Sequence, residues 1–161
     1  KFSIIFGIFA LLSLTDGYDI LVLGPFFGKS HSLYMQSFVK KLLERSHKVT
    51  FVTSFSLGKQ EIANYTEVLI DPPLQLAITV EKLFQQSEKS PFAALNEMIE
   101  LFSFSANYSL ANKNVRDLIN RDDLHFDVVI NEEFFHDSFS MFGHRFKAPV
   151  VTVCMRKILK S

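Results

Sequence analysis

The feature that most constrains the fold is a run of four consecutive apolar residues, Ile20–Leu23, that ends at Gly24-Pro25. A short apolar run bounded by turn residues is typical of a strand that is buried on both faces of a sheet. An amphipathic helix is predicted next, from an N-cap at Ser30 to about Arg45, because apolar residues recur there at helical spacing. This order predicts a βαβ unit.

The same alternation of strands and helices continues along the chain. Further strands are predicted at 49–52, 67–70, 126–130 and 150–153, and helices at 74–88, 91–120 and 132–146. Strands separated by helices are expected to form an α/β fold, a Rossmann-like parallel sheet with helices on both faces. The length of 161 residues allows one domain of this kind.

Composition excludes several classes of protein. The 17 basic and 17 acidic residues give no net charge, and no basic block is present to bind the phosphates of a nucleic acid. The single cysteine, Cys154, can form neither an internal disulfide nor a cysteine-rich zinc site. No H-E-x-x-H motif occurs, so no metal site is predicted.

The amino terminus has the pattern of a secretory signal peptide, predicted to span residues 1–17. A basic residue, Lys1, precedes the apolar run Ile4–Leu12, and small residues follow it up to Gly17. The run is shorter than the roughly 20 residues that cross a bilayer as a helix. A buried first strand or core helix is the alternative. Two N-x-[ST] sequons, at Asn64 and Asn107, favour the signal peptide because N-glycosylation requires the secretory compartment.

Known nucleotide-binding and hydrolase motifs do not fit the chain. Gly28-Lys29-Ser30 follows a strand as in a phosphate loop, but the first glycine of that motif would fall at Leu23. Pro25 also lacks a backbone N–H that could bind phosphate. The sequence contains no G-x-G-x-x-G and no G-x-S-x-G motif, so it supports neither a dinucleotide site nor a nucleophile elbow.

His31 is the candidate catalytic residue. It follows the predicted first strand at its carboxyl end, where parallel sheets bind their ligands, and histidine can take a proton from a hydroxyl group. Glu132 and Glu133 follow the strand at 126–130, at the same edge of the sheet. Either carboxylate could accept a hydrogen bond from the ring and favour the imidazolium. A solvated or helix-capping histidine is the alternative.

Two segments, ILVLGPFFGKSH at 20–31 and FDVVINEEFFHDS at 126–138, resemble UDP-glycosyltransferases of the UDP-glucuronosyltransferase family, the insect members above all. The resemblance implies the amino-terminal, acceptor-binding half of a GT-B enzyme. Such enzymes transfer a hexose or glucuronosyl group from a UDP-sugar to a hydroxyl of a small lipophilic acceptor, with inversion and without a metal or other cofactor. In this family His31 would be the general base. Glu132 would be its acidic partner, although many relatives have aspartate there and the neighbouring Glu133 leaves the choice open.

The resemblance also implies a domain organisation and a location. Residues 18–154 would form the acceptor-binding domain and 155–161 a divergent tail, without the donor-binding domain and the carboxyl-terminal membrane anchor of the family. A complete enzyme would act in detoxification. It would face the lumen of the endoplasmic reticulum, attached to the membrane, alone or as a homo- or hetero-oligomer. The alternative is a catalytically inactive module that binds lipophilic compounds or pairs with a full-length subunit.

Aromatic residues are the candidate lining of the acceptor pocket. Phenylalanine occurs 18 times, and Phe26 and Phe27 lie in a loop beside a proline, where packing in the core is the weaker explanation. Phe102 and Phe104 belong to a segment that forms much of the acceptor site in the resembled family. For Phe92 and Phe102, which share the apolar stripe of a predicted helix, a place in the core is favoured.

Overall fold

The computed structural model describes residues 17–58, 61–71, 73, 91–132 and 137–154. The predicted signal peptide, the predicted helix at 74–88, Glu133, Phe135 and the tail at 155–161 lie outside these residues. The described elements are, in chain order, β1 (Asp19–Gly24), α1 (Lys29–Glu44), β2 (Lys48–Thr53), β3 (Tyr65–Leu69), α2 (Pro91–Ala111), α3 (Lys113–Ile119), β4 (Val128–Glu132), a 3-10 turn (Asp137–Ser140), α4 (Met141–Phe146) and β5 (Val150–Val153).

The five strands form one sheet in the order β3-β2-β1-β4-β5, and every neighbouring pair is parallel. The predicted α/β class is therefore confirmed. From β1, the chain adds β2 and β3 on one side and then β4 and β5 on the other. The direction of strand addition therefore reverses between β1 and β4. Open parallel sheets bind ligands at the carboxyl ends of the strands beside such a switch point.

Helices cover both faces of the sheet, as predicted. On one face, Met35 and Val39 of α1 are fully buried against Val22 of β1. On the other face, the core joins side chains from β1 and β4 with residues of α2, α3 and α4, among them Leu101 and Phe142. Because both faces are covered, the central strands consist almost entirely of buried residues.

The first helix begins one residue before the predicted N-cap. The N-cap is Gly28, which has extended backbone angles of φ −82° and ψ 121°, and α1 starts at Lys29 rather than after Ser30. The carbonyl of Gly28 accepts the backbone N–H of Ser32 at 3.0 Å, which closes the first turn. His31 is therefore the third residue of the helix rather than the first, still within the first turn.

The segment predicted as one helix at 91–120 forms two helices, α2 and α3, so the prediction of a single continuous helix was wrong. The chain leaves helical geometry at Asn112, whose side-chain oxygen accepts the backbone N–H of Asn114 at 2.9 Å. This hydrogen bond caps α3 at its amino terminus, and asparagine is a favoured residue at such a position. An interruption of one residue does not disturb apolar periodicity, which is why the spacing did not show it.

The predicted helix at 132–146 is also shorter than expected. Strand β4 extends through Glu132, two residues beyond its predicted end, and in the described residues from 137 onward a 3-10 turn precedes the α-helix that starts at Met141. Phe139, Phe142 and Phe146, which recur in this segment at helical spacing, are all buried.

The apolar stripe of α2 is buried in its second half only. Phe102 is 5% exposed, as expected for a core residue, whereas Phe92 is 82% exposed and the core assignment for it was wrong. Leu95 and Ile99 are exposed as well. The part of α2 that packs on the sheet therefore begins near Leu101. In the described ranges, no helix has the length and apolar character needed to cross a membrane.

Candidate active site at the carboxyl edge of the sheet

His31 lies in the first turn of α1, directly after the loop that leaves β1. Since β1 is flanked by β2 and β4, this loop emerges at the centre of the sheet. The His31 side chain is 14% exposed, so the imidazole is largely enclosed but remains accessible at the edge of the sheet. A histidine in this position can both contact a ligand and be held by the protein around it.

Glu132 is the last residue of β4, the strand beside β1 on the opposite side from β2. Ile130 packs in the core beneath α1, and side chains alternate between the faces of a strand. The side chain of Glu132 therefore projects toward the same face as Ile130, where α1 begins. It is 2% exposed, and a carboxyl group buried to this extent needs a hydrogen-bond partner.

The two residues form that partnership directly. Nδ1 of His31 lies 2.5 Å from Oε1 of Glu132. The structure thus brings together the two residues that were expected to form the catalytic pair. Glu133, the other carboxylate considered, lies outside the described residues. A carboxylate that is hydrogen-bonded to Nδ1 fixes the orientation of the ring and leaves Nε2 as the nitrogen that can take a proton from a ligand. It also stabilises the imidazolium.

Burial dominates the electrostatics of the carboxyl group. Removal from water raises the pKa of Glu132 above its usual range, and the hydrogen bond and charge of His31 offset part of that rise. Glu132 is ionised most readily when His31 carries a proton, because the two charges then neutralise each other in a poorly solvated place. The pair therefore suits a reaction in which the imidazole gains a proton.

Phe26 forms an aromatic wall beside the histidine. Its ring centroid is 4.9 Å from that of His31, with an interplanar angle of 72°, and 5.8 Å from that of Phe102 on α2. The rings of His31, Phe26 and Phe102 thus form a continuous contact from α1 to α2. Of the four phenylalanines expected to line the pocket, Phe26 lies directly against the candidate base.

The other ring in the loop, Phe27, has a different environment. It is 8% exposed and belongs to the hydrophobic core on the side of α2, where its ring contacts Tyr108 at 5.8 Å. Core packing is therefore sufficient to explain Phe27, contrary to the expectation for a loop residue. Phe104 is 38% exposed and stacks on Tyr108 at 6.0 Å. Phe104 thus packs on Tyr108, the ring that also contacts Phe27.

The remaining candidate features lie away from the pair. A cavity of about 520 Å³ between β3 and α3 is lined by Thr66, Asn114 and Arg121 among others, but it contains no histidine. The carboxylate of Asp117 in that lining is ion-paired with Lys113. Among its described lining residues, the polar cavity next to β3 therefore has no histidine–carboxylate pair like the one at the carboxyl edge of the sheet.

The two sequon asparagines are both exposed. Asn64 lies in the turn before β3 with φ 61°, whereas Asn107 lies within α2. Across the described part of the chain, no three histidine, cysteine, aspartate or glutamate side chains are grouped so that they could hold a metal ion.

Comparison with curated proteins finds similarity to insect UDP-glycosyltransferases. The chain is 31% identical over 148 residues to UDP-glucosyltransferase 2 of Dactylopius coccus, a match that covers 89% of this chain and 27% of that protein. It is 26% identical over 152 residues to UDP-glycosyltransferase UGT5 of the same insect, covering 89% of this chain and 28% of that protein. UDP-glycosyltransferase UGT4 of this insect is also 26% identical, over 145 residues.

Among solved structures, the glycotransferase of kitacinnamycin matches with a TM-score of 0.43 and 13% sequence identity, over 86% of this chain and 30% of that one. No protein-family model matches the chain. The chain spans about 28% of the length of the curated relatives it matches.

The parallel sheet and the edge site define an α/β protein with a histidine–carboxylate pair at the switch point of a Rossmann-like strand order. The curated relatives confirm the resemblance that the two sequence segments indicated. Over nearly nine-tenths of its length, the chain is a relative of the UDP-glycosyltransferases.

Proposed function

We propose that this chain is the amino-terminal, acceptor-binding part of a GT-B UDP-glycosyltransferase, and that His31 is the general base of its reaction. The observation that carries the proposal is the hydrogen bond between His31 and the buried Glu132 at the switch point of the sheet. The relatives support the class of enzyme, and the aromatic wall at Phe26 supports a lipophilic acceptor. The sugar is a hexose or a glucuronosyl group, supplied by a UDP-sugar.

In the proposed reaction, Nε2 of His31 removes the proton of the acceptor hydroxyl as its oxygen attacks the anomeric carbon of the sugar. A bond forms between that oxygen and carbon, the bond from the carbon to the UDP oxygen breaks, and UDP leaves with the electron pair. Attack from the face opposite UDP inverts the anomeric centre. The proton remains on His31, and ionised Glu132 stabilises the imidazolium through Nδ1. No step uses a metal.

The donor would be bound mainly by a part of the protein outside this chain, as the resemblance implies. We therefore infer that the 161-residue chain does not transfer sugar by itself, because general base catalysis requires the donor to be held in line with the acceptor. The predicted signal peptide and the exposed sequons support the proposal that the chain enters the endoplasmic reticulum lumen. Membrane association and oligomerisation would depend on the complete enzyme.

The proposal is tested in a chimera that joins residues 1–154 to the donor-binding part of UDP-glucosyltransferase 2. Acceptor-dependent release of UDP measures turnover, and quenching of a fluorescent phenol measures acceptor binding. His31→Ala is expected to lower kcat by about 10²–10⁴-fold, the range for a general base, while acceptor affinity changes little. His125→Ala is the matched control, because His125 is exposed and pairs with Asp127 away from the site.

Near-normal turnover in His31→Ala would overturn the base assignment. An unsubstituted chimera that binds the phenol but releases no UDP would favour the inactive binding module instead. The Glu132→Gln variant should retain more turnover than His31→Ala, because the carboxylate acts only through the imidazole.

A further inference from the structure

Gly28 lies next to the rings of both Phe26 and His31. A Cβ atom placed on Gly28 would be 2.5 Å from Cε1 and 2.9 Å from Cδ1 of Phe26, and 3.3 Å from Cδ2 of His31. The first two distances are shorter than any ordinary carbon–carbon contact. Phe26 can therefore keep its place only while residue 28 has no side chain.

The backbone does not explain why glycine occupies this position. Gly28 has φ −82° and ψ 121°, which any residue adopts easily. It is the N-cap of α1 and makes no side-chain cap, although serine, threonine, asparagine or aspartate would be preferred there. The absence of a Cβ is thus needed for space rather than for conformation or capping.

The space is occupied by Phe26, which packs against the imidazole. The Phe26 ring meets His31 in an edge-to-face arrangement at 4.9 Å, and Phe102, which is 5% exposed, supports Phe26 from α2 at 5.8 Å. Glu132 holds the same imidazole through Nδ1. The ring of Phe26 packs against the imidazole and so restricts its orientation in addition to the hydrogen bond at Nδ1.

The geometry points to Phe26 and Gly28 as a positioning unit for the general base: Gly28 leaves the room in which Phe26 packs, and Phe26 fixes the orientation that the His31 imidazole presents to the acceptor hydroxyl. This inference rests on the proposed function for its catalytic meaning. The structural part of the inference is that residues 26 and 28 are sterically coupled and that this coupling affects the position of His31. This part can be tested without measuring turnover.

The test uses the 161-residue chain and the imidazole signals of His31 in two-dimensional ¹H–¹³C NMR spectra, assigned by their loss in His31→Gln. Four proteins form a double-mutant cycle: the unsubstituted chain, Gly28→Ala, Phe26→Ala, and the variant with both substitutions. Gly28→Ser is added because it restores a favoured N-cap yet carries the same Cβ. Gly58→Ala is the control for a glycine-to-alanine change that strains the backbone without a steric clash. Gly58 has φ +139°, and a Cβ there would meet no atom within 4 Å.

We expect Gly28→Ala and Gly28→Ser to shift the His31 signals by more than Gly58→Ala does. In the Phe26→Ala background, adding Gly28→Ala should cause a clearly smaller shift, because the clashing atoms of Phe26 are gone and only the 3.3 Å approach of the new Cβ to Cδ2 of His31 remains. Unmoved His31 signals in Gly28→Ala, or an equal movement in both backgrounds, would overturn the inference. If Gly28→Ala does not fold, the doubly substituted chain must fold, and its failure to do so would contradict the inference equally.

These outcomes are separable from the fate of the proposed function. Near-normal turnover of the His31→Ala chimera would remove the catalytic meaning while leaving the NMR coupling intact. An additive cycle would remove the positioning unit while leaving His31 as the base.

Discussion

Nδ1 of His31 lies 2.5 Å from Oε1 of Glu132, although the two residues are 101 positions apart in the chain. The parallel pairing of β1 with β4 creates this contact, because Leu23 is paired with Asn131 and both strands end at the same edge. One residue then continues β4 to Glu132, and a short loop leads from β1 to His31. The contact within this candidate catalytic pair is therefore a consequence of the strand order.

The pKa of Glu132 predicts a pH dependence of stability. Burial raises the native pKa above the ordinary value of 4.5, so between these two values the native state binds more protons than the unfolded chain. The contribution of this group to the free energy of unfolding is then greatest at low pH and falls as pH rises through the native pKa. The Glu132→Gln variant lacks this loss.

Urea unfolding of the chain and of Glu132→Gln, at a series of pH values from about 4 upward, measures the difference. We expect the unsubstituted chain to lose stability relative to the variant as pH increases. Glu61→Gln is the control, because Glu61 is exposed and undergoes the same substitution. A relative gain in stability with increasing pH would show that the hydrogen bond to His31 outweighs burial.

Phe27 and Phe104 should differ sharply in their contribution to stability. Phe27 is buried in the core, and truncation of a buried phenylalanine to alanine costs about 3–5 kcal/mol. Phe104 is partly exposed, so Phe104→Ala should cost about 1 kcal/mol or less. Denaturant unfolding of both variants gives the comparison. A small loss for Phe27→Ala would return Phe27 to the list of candidate pocket residues.

The two sequons should differ in occupancy when the protein is made in secretory cells. Asn64 lies in an exposed turn, and its hydroxyl partner Thr66 is exposed too. Asn107 lies within α2, and the hydroxyl partner Ser109 is fully buried. A glycan can therefore be added at Asn107 only before α2 packs. Glycopeptide mass spectrometry should find higher occupancy at Asn64, and Asn64→Gln should remove most of the glycan.

An intact amino terminus and no glycan on protein from these cells would contradict the whole assignment to the secretory pathway. Occupancy confined to Asn107 would contradict the structural argument alone.

Much of the fold follows from local sequence. The apolar runs predicted the five strands, and the helical spacing predicted which face of α1 is buried, because both signals depend on nearby residues. The carboxyl-edge argument also predicted that His31 and the two glutamates after the fourth strand lie at the same edge of the sheet, but it did not show that they touch. It could not choose the glutamate: the predicted strand ended at Ile130, so the alternation that directs Glu132 toward α1 was not visible.

Other features depend on contacts between distant parts of the chain. Phe26 and Phe27 are identical neighbours in one loop, yet one packs on His31 and the other enters the core beside Tyr108. No local pattern distinguishes them. The role of Gly28 was equally hidden, because the glycine matters through the position of the Phe26 ring rather than through its own backbone angles.

The hydrogen-bonded state of the His31 ring tests the central claim most directly. Long-range ¹H–¹⁵N NMR distinguishes the two neutral tautomers of histidine, and it is recorded on the 161-residue chain above the pH at which the ring loses its proton. If Glu132 orients a general base, the neutral ring carries its proton on Nδ1 and leaves Nε2 as the basic nitrogen. Glu132→Ala should abolish that preference. A neutral His31 with its proton on Nε2 in the unsubstituted chain would contradict the account.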